Sequence, residues 1–263
     1  MASPSQTGLL FLHRNALVGR ESEHILLAPP YLPATSVSLS VEPTTTLPLG
    51  VAFTLSATVE ISAPTKALIP AVGHEVFFTE GVFVAELKGE NEVPVPVTTT
   101  TGAGLATFLV NPLTGAVNYE LDFTGITSPT MAHVHLGPAG VTGLPLFWLW
   151  DASGVDAPST LPATGVFTPT LAQFSQMLQG NLYVNVHSAA YPGGEIRGQI
   201  EGATSAFTND QGVATLEWAP ATTGPHTVFA ISGLNFDFAN VVVIGQALLP
   251  VIQNGSAPSE GSE

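Results

Sequence analysis

Apolar and polar residues alternate with a period of two in short runs along most of the chain, and turn residues bound the runs. In the clearest of them Val51, Phe53, Leu55, Ala57 and Val59 share one face while Thr54, Ser56 and Thr58 take the other. Residues 37–41, 75–79, 105–110, 116–123, 182–187, 212–218 and 227–231 repeat the pattern. Alternation at this spacing predicts antiparallel strands arranged as a sandwich or barrel. Asn111-Pro112-Leu113-Thr114-Gly115 reads as a hairpin connection, with Pro and Gly where a turn wants them. One segment breaks the period. Thr168-Pro169-Thr170 offers a hydroxyl cap and a first-turn Pro, Leu171, Phe174, Met177 and Leu178 recur at helical spacing, and Gly180 stops the run. The fold class expected is all-β with one short helix.

Length and composition narrow what such a fold does. At 263 residues two domains are the prior, with one large β-domain as the alternative. Five Lys and Arg stand against 20 Asp and Glu, a formal charge of −15. Five scattered cations cannot make the basic stripe that displaces counterions from phosphates, so no nucleic-acid partner is expected. No window approaches the roughly 18 uninterrupted apolar residues of a spanning helix, so no membrane span is expected either. Cysteine is absent, which removes disulfides, thiolate metal sites and thiol nucleophiles. Met1-Ala2-Ser3-Pro4-Ser5-Gln6-Thr7 has no basic n-region, and the apolar patch from Gly8 to Leu12 is too short for the apolar core of a signal peptide.

Several motifs follow one another from Val82 to Glu201. Glu86-Leu87-Lys88-Gly89-Glu90-Asn91-Glu92-Val93-Pro94 opens the series. Gly102 to Phe108, Asn111-Pro112 to Gly115 and Val117 to Phe123 form a strand–turn–strand. Ala132-His133-Val134-His135-Leu136-Gly137-Pro138-Ala139-Gly140 lies at the centre. Tyr183-Val184-Asn185-Val186-His187-Ser188 and Pro192-Gly193-Gly194-Glu195-Ile196-Arg197-Gly198-Gln199-Ile200 close it. In this order the motifs resemble the CHRD domain, named after chordin and found also in microbial proteins. On either side, residues 48–59 and 76–79, and then 208–216 and 224–228, are similar to the two halves of a bacterial Ig-like domain of the invasin type. Residues 35–81 and 202–250 together have about the length of one Ig-type sandwich. The resemblances therefore imply residues 82–201 as a CHRD domain inserted into an Ig-like β-sandwich, with an N-terminal arm at 1–34 and a flexible tail at 251–263.

Candidate chemistry gathers in the CHRD-like stretch. His133 and His135 are two apart, so both imidazoles project from one face of a strand, and His187 lies on another strand with Tyr183 and Asn185 on its face. The resemblance implies a sandwich similar to Cu/Zn superoxide dismutase, whose copper also uses a His-x-His pair and a distant His. Neutral imidazoles suit copper or zinc, and three of them make a workable site. Nothing resembles the bridging His or the second metal's ligands, so a dismutase cycle is not expected. The alternative is that these histidines tie strands and loops together by hydrogen bonds. Glu195 and Arg197 share a strand face and are expected to pair, although Arg197 near His187 also suits an anionic ligand. Glu90 and Glu92 stand in the same-face relation, as Ca²⁺ ligands or as a solvated edge that blocks strand-to-strand aggregation. Trp148 and Trp150 are expected on one face, in the core or at a partner. No hydrolase triad, zincin helix, phosphate loop or dinucleotide fingerprint is present.

The arm supplies a further expectation. Leu9, Leu10, Phe11 and Leu12, and Ile25, Leu26 and Leu27, are β-compatible segments outside any complete domain. They suit strand donation to a neighbouring copy, giving a homo-oligomer or polymer, or folding back on the chain's own sandwich. The favoured expectation is a non-enzymatic structural or adhesive protein, a self-assembling subunit of an extracellular filament, cell-surface layer or virion. A copper-binding or redox protein using His133, His135 and His187 is the alternative, and a protein- or glycan-binding module is a third.

Overall fold

A computed structural model describes residues 36–42, 46–63, 67–111 and 114–245. The arm at 1–34, with Leu9, Leu10, Phe11, Leu12, Ile25, Leu26 and Leu27, and the tail at 251–263 lie outside the described residues. The described chain is all-β with one short helix, as the alternation predicts. In chain order the strands are β1 (Ser36–Glu42), β2 (Thr46–Pro48), β3 (Phe53–Ser62), β4 (Leu68–Pro70), β5 (Glu75–Lys88), β6 (Ala103–Val110), β7 (Val117–Thr124) and β8 (Pro129–Leu136). They continue as β9 (Pro145–Asp151), β10 (Ala163–Phe167), β11 (Leu182–Ser188), β12 (Ile196–Gln199), β13 (Glu201–Phe207), β14 (Val213–Trp218), β15 (Gly224–Ser232) and β16 (Asn235–Ile244). The helix α1 (Leu171–Leu178) falls where its cap and period place it. Thr170 accepts from the Gln173 N–H, and the Gln173 side chain accepts from the Thr170 N–H. Met177 and Leu178 are buried, while Leu171 is exposed.

Two hydrophobic cores form. The first draws on Phe83, Ala85 and Leu87 of β5, Phe108 of β6, Leu121 of β7, Val134 of β8, Leu149 of β9, Val184 and Val186 of β11 and Ile196 of β12. The second lies between β1, β3 and β14 on one side and the start of β5 with β15, β16 and β2 on the other. Its residues include Phe53, Leu55, Val76, Phe78, Ala214, Val228 and Val243, all outside the stretch from 82 to 201.

Strand β5 belongs to both cores because its alternation aims Val76 and Phe78 into the second and Phe77, Phe83, Ala85 and Leu87 into the first. Midway, the register with β13 shifts between Glu201 and Ala203 opposite Gly81, which sits at φ +76°. Here the strand turns through left-handed backbone, which glycine adopts without a Cβ penalty.

The sheet order β5-β12-β11-β8-β9 positions the site. Ala132 and Val134 on β8, Val184 and Val186 on β11 and Ile196 on β12 face the first core. The pleat therefore turns His133, His135, Tyr183, Asn185, His187, Arg197 and Gln199 to the opposite face. His133, Asn185 and Arg197 are aligned directly across the three strands, as are His135, Tyr183 and Gln199.

Candidate metal centre

The outer face of β8, β11 and β12 is polar yet buried, because the loops at 89–100, 137–143 and 189–195 hold to it. His133 is 4 % exposed, and His135 and His187 are each 7 % exposed. One ring nitrogen from each of the three lies within 4.8 Å of the other two. The His133 Nδ1 to His187 Nε2 distance is 3.3 Å. Two nitrogens bound at 2.0–2.1 Å to one tetrahedral ion stand roughly 3.3–3.4 Å apart, so this pair is already at ligand spacing.

Backbone carbonyls fix how the rings present their lone pairs. His135 Nδ1 is 3.0 Å from the Gly143 carbonyl oxygen, and His187 Nδ1 is 3.1 Å from that of Pro192. A carbonyl only accepts, so each Nδ1 carries the proton and each Nε2 keeps its lone pair in the neutral ring. This is the outer-shell arrangement that orients ligating histidines. The His135 Nε2 and the His133 Nε2 are buried with no hydrogen-bond partner. Burial pushes all three histidines below their ordinary titration range, His133 to about 4 with the neighbouring His187 and His135 adding to the effect. Three imidazoles that stay neutral at pH 7 in this way are ready donors for copper or zinc.

The walls are aromatic. Tyr183 lies flat against His135, with ring centroids 4.9 Å apart and planes 14° apart, and the Arg197 guanidinium carbon stands 3.5 Å over the Tyr183 centroid. Trp148, 40 % exposed, meets His133 edge to face at 4.2 Å. Gly143 joins the pieces, accepting from His135 while its N–H donates to the Tyr183 hydroxyl at 3.0 Å. A Cβ at Gly143 would fall 1.4 Å from the Leu136 carbonyl oxygen, so only glycine allows this approach.

The three candidate ligands thus converge, whereas other expectations need correction. Glu195 and Arg197 do not pair. Glu195 accepts from the Thr100 hydroxyl, and Arg197 Nη2 donates to the Pro138 and Val141 carbonyls, because the loops folded over β12 reach these side chains first. Glu90 and Glu92 do not share a strand face, since a 3₁₀ turn at Gly89–Asn91 rotates the chain, leaving Glu90 exposed and Glu92 3 % exposed. Trp148 and Trp150 face opposite ways. A bulge pairs His133 with Trp148 and Ala132 with Trp150, sending Trp150 into the first core against Phe123 and Trp148 to the histidines. The carbonyls of Gly143 and Pro192 have no signal in the sequence, as any residue carries that group. The contact of Trp148 with His133 depends on the bulge and was equally hidden.

Residues 83–200 match the CHRD domain family. The match holds the whole of the site, from Glu92 to Arg197, and the three histidines with their carbonyl partners. Comparison with curated proteins and with solved structures found no match. Among the described residues no helix is long and apolar enough to cross a membrane.

Proposed function

We propose that this protein is a non-enzymatic, metal-stapled β-module in which the CHRD domain holds one copper- or zinc-class ion on His133 Nδ1, His135 Nε2 and His187 Nε2. The observation that carries the reading is the trio itself, with ring nitrogens within 4.8 Å and two Nδ1 atoms anchored on carbonyls. Near-complete burial of the three rings favours a structural role, because an ion bound only by the folded chain adds folding energy. The ion would clamp β8 to β11 beneath the loops of Gly143 and Pro192. The second core, assembled from residues on both sides of the CHRD match, supports reading the remainder as an Ig-like host around an inserted domain. A surface that is acidic and poor in Lys and Arg suits display on a cell surface, extracellular filament or virion.

The test strips the full chain with chelator, adds Cu²⁺ or Zn²⁺ and measures bound metal and melting temperature together. Uptake of about one ion per chain with a rise in Tm is expected, since a ligand that binds the folded state stabilises it by mass action. His135→Ala and His187→Ala should lose both responses. Absence of stoichiometric uptake, or uptake indifferent to both variants, would refute the reading.

A further inference from the structure

A cavity of about 150 Å³ opens beside Gly81 of β5, between helix α1 and the turn that joins β15 to β16. Phe83, Phe174, Phe229, Ile231 and Phe236 wall it, and no charged residue lines it. The one hydroxyl in the wall is spent, since Thr79 donates to the Gly202 carbonyl and accepts from the Gly81 N–H. The rim is apolar and open to water. Leu171 is 64 % exposed, Leu234 68 %, Phe236 39 % and the adjoining Phe238 47 %. Phe236 and Phe238 flank Phe229, with ring centroids 6.5 and 5.9 Å away. Large apolar side chains grouped in this way on a surface mark a docking site.

We propose that Ile25, Leu26 and Leu27 of the same chain, which lie outside the described residues, cover this groove and fill its cavity. The argument starts from where the chain enters the fold. The Leu39 N–H donates to the Asp237 carboxylate at 2.8 Å, and soon after Glu42 the chain pairs Thr46 with Val242. Strand β1 therefore runs along β16 in the same direction, which puts Ser36 at the Asn235 end, by Leu234 and Phe236. Nine residues lead from Leu27 to Ser36, with prolines at 29, 30 and 33. At about 3.1 Å per residue in the extended form that proline favours, they reach roughly 28 Å. From the layer of β1 to a segment lying on the outer side of β16 is two layer spacings of about 10 Å each, so the reach suffices. The chemistry agrees. From Ile25 to Thr35 there is no Asp, Glu, Lys or Arg, in a chain of formal charge −15, and the groove is equally uncharged. A cavity of this size takes a benzene-sized apolar group, which aliphatic side chains supply. Of the two placements that the sequence leaves open for the arm, folding back is thus chosen over donation to a neighbour.

The chain has no cysteine, so engineered pairs report proximity without background. Leu26→Cys and, separately, Leu27→Cys are combined with Leu234→Cys in the full chain and oxidised with diamide in dilute solution. A disulfide forms only where the two Cα atoms come within about 7 Å. The expected result is an intrachain disulfide in at least one pair, read as a monomer of shifted mobility on a non-reducing gel. Val95→Cys, on the exposed loop over the histidine face, should give none with either arm cysteine. In the cysteine-free chain, Leu26→Asp should raise the fluorescence of a dye that binds apolar surface several-fold, by uncovering Phe236 and Phe238. A band at twice the mass would overturn the proposal, since it would give the groove to a neighbour's arm. So would equal crosslinking to Val95→Cys, absence of a disulfide in both Leu234→Cys pairs, or dye fluorescence unchanged by Leu26→Asp.

Discussion

The two faces of the β8–β11–β12 sheet are both shut off from water, but they are built from opposite chemistry. On the inner face Ala132, Val134, Val184, Val186 and Ile196 are 0 % exposed and need only contact. On the outer face His133, His135, Asn185, His187 and Arg197 are 2 to 7 % exposed, and every polar atom there needs a partner. Most find one, through the carbonyls of Gly143, Pro192, Pro138 and Val141. His133 Nε2, His135 Nε2, Glu92 Oε1 and Asn185 Oδ1 do not. A buried unpaired polar group costs about 1–3 kcal/mol, so an outer face serving stability alone would be better built from apolar residues. The difference supports the proposal that the outer face is kept polar for a ligand, although Trp150 Nε1 on the inner side is also unpaired.

Substitutions on each face should behave accordingly. Leu182→Ala, on the inner side of β11 and 1 % exposed, should cost about 2–5 kcal/mol in denaturant unfolding, with or without metal. A cost below about 1 kcal/mol would mean that this face is loosely packed. Gly143→Ala should cost about 1–3 kcal/mol by forcing the loop off Leu136, and it should also weaken metal uptake. If uptake survives intact, the Gly143 carbonyl does not orient His135. Tyr183→Phe leaves the Gly143 N–H without its acceptor and should cost about 1 kcal/mol, with the aromatic stack retained.

Stability should also depend on pH. Glu92 titrates near 7 in the folded protein, above its ordinary value of 4.5, facing Arg197, Asn185, Glu86, Glu90 and Glu201. A raised pKa means that the folded state holds its proton longer than the unfolded chain. The contribution is therefore fully present below pH 4.5 and is lost as pH rises through 7. The three histidines act in the opposite sense, since unfolded imidazoles take up protons below 6.5 that the folded ones refuse. Comparing wild type with Glu92→Gln in chelator at pH 5 and pH 8 isolates the carboxylate. The variant should be relatively more stable at pH 8 than at pH 5, and equal differences at both would remove Glu92 from this role.

Much of this was legible in the sequence, for identifiable reasons. Alternation exposed β1, β3, β7 and β11 because each has one face on a core and a polar face outward or toward the site. The helix showed itself by Thr170 and Gln173 as well as by its period. The His-x-His spacing placed two imidazoles on one side of β8, and His187 fell on β11. Other features depend on tertiary context. β16 carries Phe236, Phe238, Val242 and Ile244 on its exposed side, which blurs its alternation. β9 hides its pattern because a bulge sends the adjacent Leu149 and Trp150 both into burial. Pairing of Glu195 with Arg197 was a sound inference from an isolated strand, and it failed because loops distant in sequence supply Thr100, Pro138 and Val141. Backbone ligands to side chains leave no mark on composition or spacing.

The central claim is that the outer face holds a metal on three imidazoles, and X-ray absorption at the edge of the bound ion tests it most directly. With one equivalent of Zn²⁺ or Cu²⁺ on the full chain, the spectrum should show nitrogen neighbours at about 2.0–2.1 Å with the outer-shell pattern of about three imidazoles. His187→Ala should remove one of them. A spectrum dominated by oxygen neighbours, or one unchanged by His187→Ala, would contradict the claim.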